Sequence, residues 1–427
     1  MKTSLGVLRS LIALAALAPL ASAGVWIVDD DGGPGVDFTD LQPAIDAASP
    51  GDLVVVRAGE YGPFVLDIGL RIVAEPGPQP HVGESGELRD VPAGWRALVA
   101  GLRLDMLYAH DCEGDVLVDA CTLGMKVGRP SLLVERCDLV VMSRSQVKGI
   151  SGGQEMPPIY PPNAERAAEV TDSTVAWSAC TLEGGSGGTH YKADGKPGEP
   201  AVWASHSTLF CQTSHIQGGH GGKYWGPYPD EYISDGGDGA PGLLLDACHV
   251  EIFGRATDLV IGGQDGVPSW FGEPGEPASA VVALDSDVIH SGAGFVTQGG
   301  KPVFDGTASS FDEVTPAVPP LTLAGDALLG GSFEPVLEAA PGAQFLLWIS
   351  PFSGVQPVGN KHTQLLLASA QLFALAAGTV GPSGVFDLPL KLPDSPLLQG
   401  LALHLQAYVR LGPGADVLST SASCALR

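Results

Sequence analysis

Apolar residues along this chain come in short runs broken by Gly, Pro, Asp and Ser, and the runs recur. Val25–Val28 predicts a strand, followed by an acidic turn. Thr39-x-x-Gln42 has the form of a capping box, and Leu41, Ala44, Ile45 and Ala48 then fall on one face at helical spacing. Pro43 is tolerable close to the first turn, where amides have few partners. Ser49-Pro50-Gly51 ends the helix, and Leu53–Val56 is a β-branched run before a turn at 59–62.

The middle of the chain repeats. Gly-Gly pairs stand at 152, 184, 218, 262 and 299, and four of them open Gly/Pro-rich insertions at 152–164, 184–200, 218–242 and 262–277. The segments between the insertions, 165–183, 201–217, 243–261 and 278–298, hold 19, 17, 19 and 21 residues. A repeat that becomes constant once the insertions are removed predicts a solenoid with loops on one side. A low-complexity linker would not keep such regular apolar segments between its glycine runs. The N-terminal amphipathic helix suits a cap over the solenoid's end.

The order D-F-T-x-L-Q-x-A-I-D-A-A-x-x-G-D-x-V-x-V-x-x-G-x-Y, from Asp37 to Tyr61, resembles the first coil of pectin-lyase-like right-handed β-helix proteins, many of them bacterial secreted repeat proteins. With the repeats, the resemblance reaches about residue 310. It implies an all-β, right-handed parallel β-helix with an N-terminal capping helix over residues 24–315. That superfamily includes polysaccharide lyases, glycosidases, epimerases and members without demonstrated activity, so fold alone does not choose among them.

From about Leu321 the pattern changes. TPAVPPLTL forms a proline-rich boundary, the long glycine loops stop, and apolar strand candidates follow at 344–349, 364–375 and 401–409. Residues 321–427 read as a small C-terminal β-sandwich-like module.

Composition adds location and charge. Lys2 and Arg9, the apolar run from Leu11 to Leu20 and Ala21-Ser22-Ala23 have the form of a signal peptide over residues 1–23, so the protein is expected to be secreted. No stretch is long enough to span a membrane. Without the leader, 20 basic residues face 48 acidic ones, a net charge of −28, which repels nucleic acid phosphates and anionic lipid. Seven cysteines leave at least one thiol unpaired in a monomer; they read as small inward-facing core residues, with disulfides between neighbouring coils left open. No C-x-x-C or His/Cys cluster suggests a metal.

The candidate chemistry lies in the insertions. Counted from each opening glycine, Tyr160 stands at +8, Tyr191 at +7, Trp225 at +7 and Trp270 at +8, with Tyr224, Tyr228, Tyr232 and Phe271 nearby. Rings leaving successive coils about 4.8 Å apart can form a row that stacks on sugar faces, or can pin neighbouring loops together. His190, Lys192 and Lys223 are polar companions. Asp194, Asp230, Glu231, Asp235, Asp238 and Asp265 accompany the rings as solvated loop acids; Ca²⁺ is the cation such oxygens can take, as can Asp29-Asp30-Asp31, but no cofactor is required.

The resemblance also supplies a test for catalysis. Pectate-lyase-like enzymes use carboxylate-held Ca²⁺ and a basic residue, yet Arg136, Arg144, Lys148 and Arg255 sit in no lyase signature. Pectin-type glycosidases of this fold carry N-T-D, D-D and G-H-G elements. Gly219-His220-Gly221 matches the last by letters, and N-T-D is missing. The leading expectation is therefore a protein that binds an extracellular polysaccharide or cell-surface glycan through Tyr160, His190, Tyr191, Lys192, Lys223, Tyr224, Trp225 and Trp270. The alternatives are a polysaccharide lyase or glycoside hydrolase, and a structural or adhesion protein.

Overall fold

The computed structural model of the chain describes residues 24–124, 128–153, 163–191, 194–225, 234–269, 272–315, 317–357, 364–368, 371–412 and 415–427. Residues 24–315 form a right-handed parallel β-helix with three long parallel sheets. Sheet A has 11 strands, from Val25–Val28 to Ser310–Glu313, and sheets B and C have nine each. One coil shows the plan: Leu132–Glu135 in sheet C, Val140–Ser143 in sheet A and Gln146–Lys148 in sheet B, each in register with its counterparts in adjacent coils. Alternation points Val140 and Met142 into the core and Val141 outward.

The sharp corner from sheet C to sheet A recurs with one geometry. Asp90, Asp111, Arg136, Asp172, His206, Ala247, Asp285 and Ala308 all have φ between 46° and 54°. From the second coil of this series onward, the next residue is Cys or Ser: Cys112, Cys137, Ser173, Ser207, Cys248, Ser286 and Ser309. A left-handed residue is costly for a side chain, and the following residue helps hold it. Ser173 Oγ accepts from Cys137 N at 2.9 Å and donates to Thr171 O at 2.8 Å; Ser286 does the same for Cys248 N and Leu284 O. Cysteine fits because it is equally small and apolar enough for the core. All seven cysteines are buried free thiols, as the sequence suggests, and no disulfide joins the coils among the described residues.

At the N-terminal end, helix α1 spans Leu41–Ala47 and buries Leu41, Ala44 and Ile45 against the first coil. The capping box differs from expectation. Asp40 is the N-cap, accepting from Leu41 N, while Gln42 bonds the Val65 backbone with both its amide atoms. Gln42 thus ties the cap to the first strand of sheet C instead of closing its own helix.

The C-terminal module packs antiparallel strands in two layers. Ser332–Glu338 pairs with Leu321–Ala324 and Val385–Asp387, and Gln344–Ser350 with Phe373–Thr379 and Ala402–Gly412. Phe333, Leu337, Phe345, Leu347, Leu403 and Leu405 fill the core between them. The expected strand at 364–375 is two, Gln364–Leu367 and Phe373–Thr379. The module lies flat on the outer face of sheet A, where Leu98, Leu117, Val141 and Phe210 pack with Leu366, Ala402 and Ala425.

This contact also buries polar groups. Gln212 Oε1 accepts from Ser421 N at 2.6 Å, Ser178 Oγ donates to Ser421 O at 2.9 Å, and Arg96 bridges Asp115 and the Pro351 carbonyl. His404, fully buried here, shares a hydrogen bond of 2.8 Å between Nδ1 and Ser423 Oγ. Burial first, then the Arg96 charge, hold its pKa well below the usual histidine value, while Ser421 and Ser423 face it in the small cleft it lines. An unfolded chain protonates this histidine near pH 6.5, whereas the folded chain does not. Its contribution is therefore intact above that pH and lost as pH falls below it. We expect His404→Gln to flatten the fall in urea midpoint between pH 7 and pH 5.5; an unchanged slope would contradict this assignment. His81 and His110 act oppositely. Burial lowers both pKa values, but bonds to Asp105 and Glu60, and to Asp111 and Glu87, raise them overall, so their contribution fades as pH rises.

Candidate functional site

The insertions all leave the corner between sheets B and C. Their sequences place glycine at every third position: 149 and 152, 184 and 187, 195 and 198, 218 and 221, 236 and 239, 272 and 275. The hydrogen bonds follow this period. Gly184 N donates to Gln217 O and Gly187 N to His220 O, while Gly218 N donates to Ile261 O and Gly221 N to Gln264 O. Returning arms do the same, from Gly195 to Asp235 and from Gly198 to Asp238. A three-residue recurrence is that of an extended threefold helix of the polyproline type. Here such arms stack coil upon coil in two layers.

Cross-layer bonds join outgoing to returning arms: Glu199 N to Gly185 O, Gly219 N to Glu199 O, Gly222 N to Lys196 O, and Gly237 N to Gly222 O. Glycine is required because the backbones touch. A Cβ on Gly221 would lie inside the Gly237 carbonyl oxygen, and one on Gly187 inside that of Lys196. The loops are thus a hydrogen-bonded slab with almost no side chains inside it. The first arm starts at Gly149, ahead of the Gly-Gly pair at 152.

The slab positions the candidate residues. Past the glycines, His190–Tyr191 and Tyr224–Trp225 form a two-stranded parallel sheet in which His190 is the register partner of Tyr224 and Tyr191 of Trp225. The equal +7 offsets of Tyr191 and Trp225 become direct lateral neighbours. Lys223 precedes them and is exposed. Tyr160, Lys192 and Trp270, like Tyr228, Asp230, Glu231, Tyr232 and Phe271, lie outside the described residues.

The loop acids have a defined job. Asp194 Oδ1 accepts from Asp235 N at 2.8 Å, Asp235 Oδ1 from Glu273 N at 2.8 Å, and Asp238 Oδ1 from Glu276 N at 2.7 Å. Each clips its arm to the next and leaves its other oxygen toward solvent. The ligand atoms of Asp29, Asp30 and Asp31 lie within 4.8 Å of one another. Two of the three are engaged by protein: Asp29 pairs with Arg57 at 3.1 Å and Asp30 accepts from Glu60 N at 2.9 Å.

The residues weighed for catalysis are also occupied. His220 Nδ1 accepts from Gln264 N at 2.9 Å, and its flanking glycines are slab glycines, so the G-H-G letters reflect packing. Arg136 pairs with Asp111, Arg144 with Asp119, Lys148 with Glu183 and Arg255 with Glu338. One further ring stands outside the insertions. Trp203, on the outer face of sheet C beside the returning arms, lies under Arg166 with the guanidinium 5.3 Å from its centroid. Its signal was available in the alternation of VWAS, where Val202 and Ala204 are buried and Trp203 is not.

No protein-family model and no curated sequence matches the chain. Among solved structures, it is similar to the enzymatically active domain of bacteriophage CBA120 tailspike protein 2, at 10% identity and a TM-score of 0.17, covering 94% of this chain and 71% of that one. Full-length tailspike protein 2 from an Escherichia coli O157:H7 bacteriophage matches at 9% identity and a TM-score of 0.16, with 94% and 64% covered. At such scores the fold assignment rests on the three parallel sheets themselves.

Proposed function

We propose that this is a secreted protein that binds an extracellular polysaccharide across the ends of its glycine arms. Tyr160, Tyr191, Tyr224, Trp225 and Trp270 supply ring surfaces, and His190, Lys192 and Lys223 polar contacts. The observation that supports this most is the in-register pairing of Tyr191 with Trp225 on a rigid backbone slab. Aromatic side chains offer large contact area for few rotatable bonds, and a stiff platform reduces the ordering cost of binding. Trp225→Ala is expected to weaken binding by roughly 1–2 kcal/mol, a loss of about five- to thirtyfold. Affinity electrophoresis through polysaccharide gels measures this. Equal retardation of the variant and the parent would remove the rings from the site and favour a structural role for the slab.

A further inference from the structure

Resting on the reading above, we infer that the polymer bound is a neutral polysaccharide, and that uronate or sulfated glycans are excluded by the charge of the slab. Among the described residues of the insertions at 152–164, 184–200, 218–242 and 262–277, seven are acidic and only Lys196 and Lys223 are basic, with Arg166 just beyond the first insertion. Asp194, Asp235, Asp238, Glu273 and Glu276 are exposed along the returning arms.

The bases are largely committed elsewhere. Arg166 is shared by Glu169 and Glu199, and Lys196 donates to Asn163 at 2.7 Å. Among the described residues, Lys301 engages Glu276 at 2.8 Å, and Asp194, Asp235, Asp238 and Glu273 form no ion pair.

Distance makes the charge act on the rings. Asp194 follows Tyr191 by three residues, so their Cα atoms lie at most about 11 Å apart. That is comparable to the screening length of about 8 Å at physiological salt. Neighbouring coils repeat the carboxylates at about 4.8 Å, so their potentials add. The acids are held in place because each clips an adjacent arm, and they cannot swing away from an approaching anion. A neutral chain meets no such barrier and can still accept hydrogen bonds from Lys223 and His190.

The test runs the mature protein through gels containing laminarin, galactomannan, polygalacturonate or alginate, at low and high salt and with or without Ca²⁺. A triple variant, Asp194→Asn, Asp235→Asn and Asp238→Asn, runs alongside. Asparagine keeps an Oδ1 acceptor for each clip, so the slab is preserved. We expect retardation by a neutral polymer that survives high salt, none by the two uronates at low salt, and new uronate retardation in the triple variant. Uronate retardation of the parent with no neutral binding, in Ca²⁺ or without it, would overturn the charge inference but leave the ring face standing. A triple variant still indifferent to uronates would likewise overturn it. No retardation by any polymer would sink the binding reading itself.

Discussion

Asp119→Ala is expected to destabilise the protein by about 3–5 kcal/mol, the cost of stranding a buried charge. Asp119 points outward from sheet A yet is 0% exposed, because the C-terminal module covers it. One carboxylate oxygen accepts from Ser143 Oγ at 2.8 Å and Arg144 Nε at 3.0 Å; the other pairs with the Arg144 guanidinium and accepts from Ala425 N at 2.8 Å. Arg144 is itself largely buried, and at the corner from sheet A to sheet B its backbone is left-handed, with φ 48°. Removing the carboxylate leaves the guanidinium without its counter-charge and a strand amide of the module without an acceptor. The loss should be local first. Limited proteolysis should cut within 321–427 before the solenoid, and urea unfolding should split into two steps. Asp119→Asn, which keeps an acceptor, should lose less. A change in unfolding free energy below about 1 kcal/mol would show that solvent reaches this site.

Gly221→Ala is expected to cost about 3 kcal/mol or more, an unusually large effect for adding one methyl group. Its Cβ would occupy the space of the Gly237 carbonyl oxygen and press on Gly266 N, both backbone atoms that cannot rotate aside. Separating the layers would break the bonds from Gly237 N to Gly222 O and from Gly266 N to Gly237 O. Because solenoid repeats depend mainly on their neighbours, the damage should spread to adjacent arms and leave distant coils intact. Amide exchange at Gly187, Gly222 and Gly237 should accelerate while Val116 and Val118 stay protected. Gly381→Ala is the control, since nothing lies within 4 Å of its Cβ position. Equal effects at the two sites would mean that the slab is looser than its hydrogen bonds indicate. Normal stability with lost glycan binding would instead place Gly221 at the ligand.

The solenoid was legible because its cause is local. Apolar alternation in runs such as STVAWSACTLEGG specifies which residues face inward, and constant spacing between insertions specifies that coils stack. The glycine period of three was also present, in GEPGEP and in GGSGG, but its meaning was not. A threefold extended arm has no internal hydrogen bonds, so nothing along one segment reveals that its amides will be satisfied by another arm. Only the stack supplies the partners. Similarly, equal offsets for Tyr191 and Trp225 hinted at a row, and the slab made them register neighbours.

By itself, then, the sequence determined the coil repeat, the inward cysteines, the cap around Leu41–Ala47 and the change of pattern that sets off a C-terminal module. Periodicity and turn chemistry act over a few residues, and those features need nothing more. Tertiary structure decided that Asp40 caps the helix, that the loop acids clip adjacent arms, and that the module covers sheet A through Asp119, Gln212 and His404. Those choices join residues up to 306 positions apart, from Asp119 to Ala425. Whether a polar residue on an outward face meets water or another layer is settled by packing, and no local pattern encodes it.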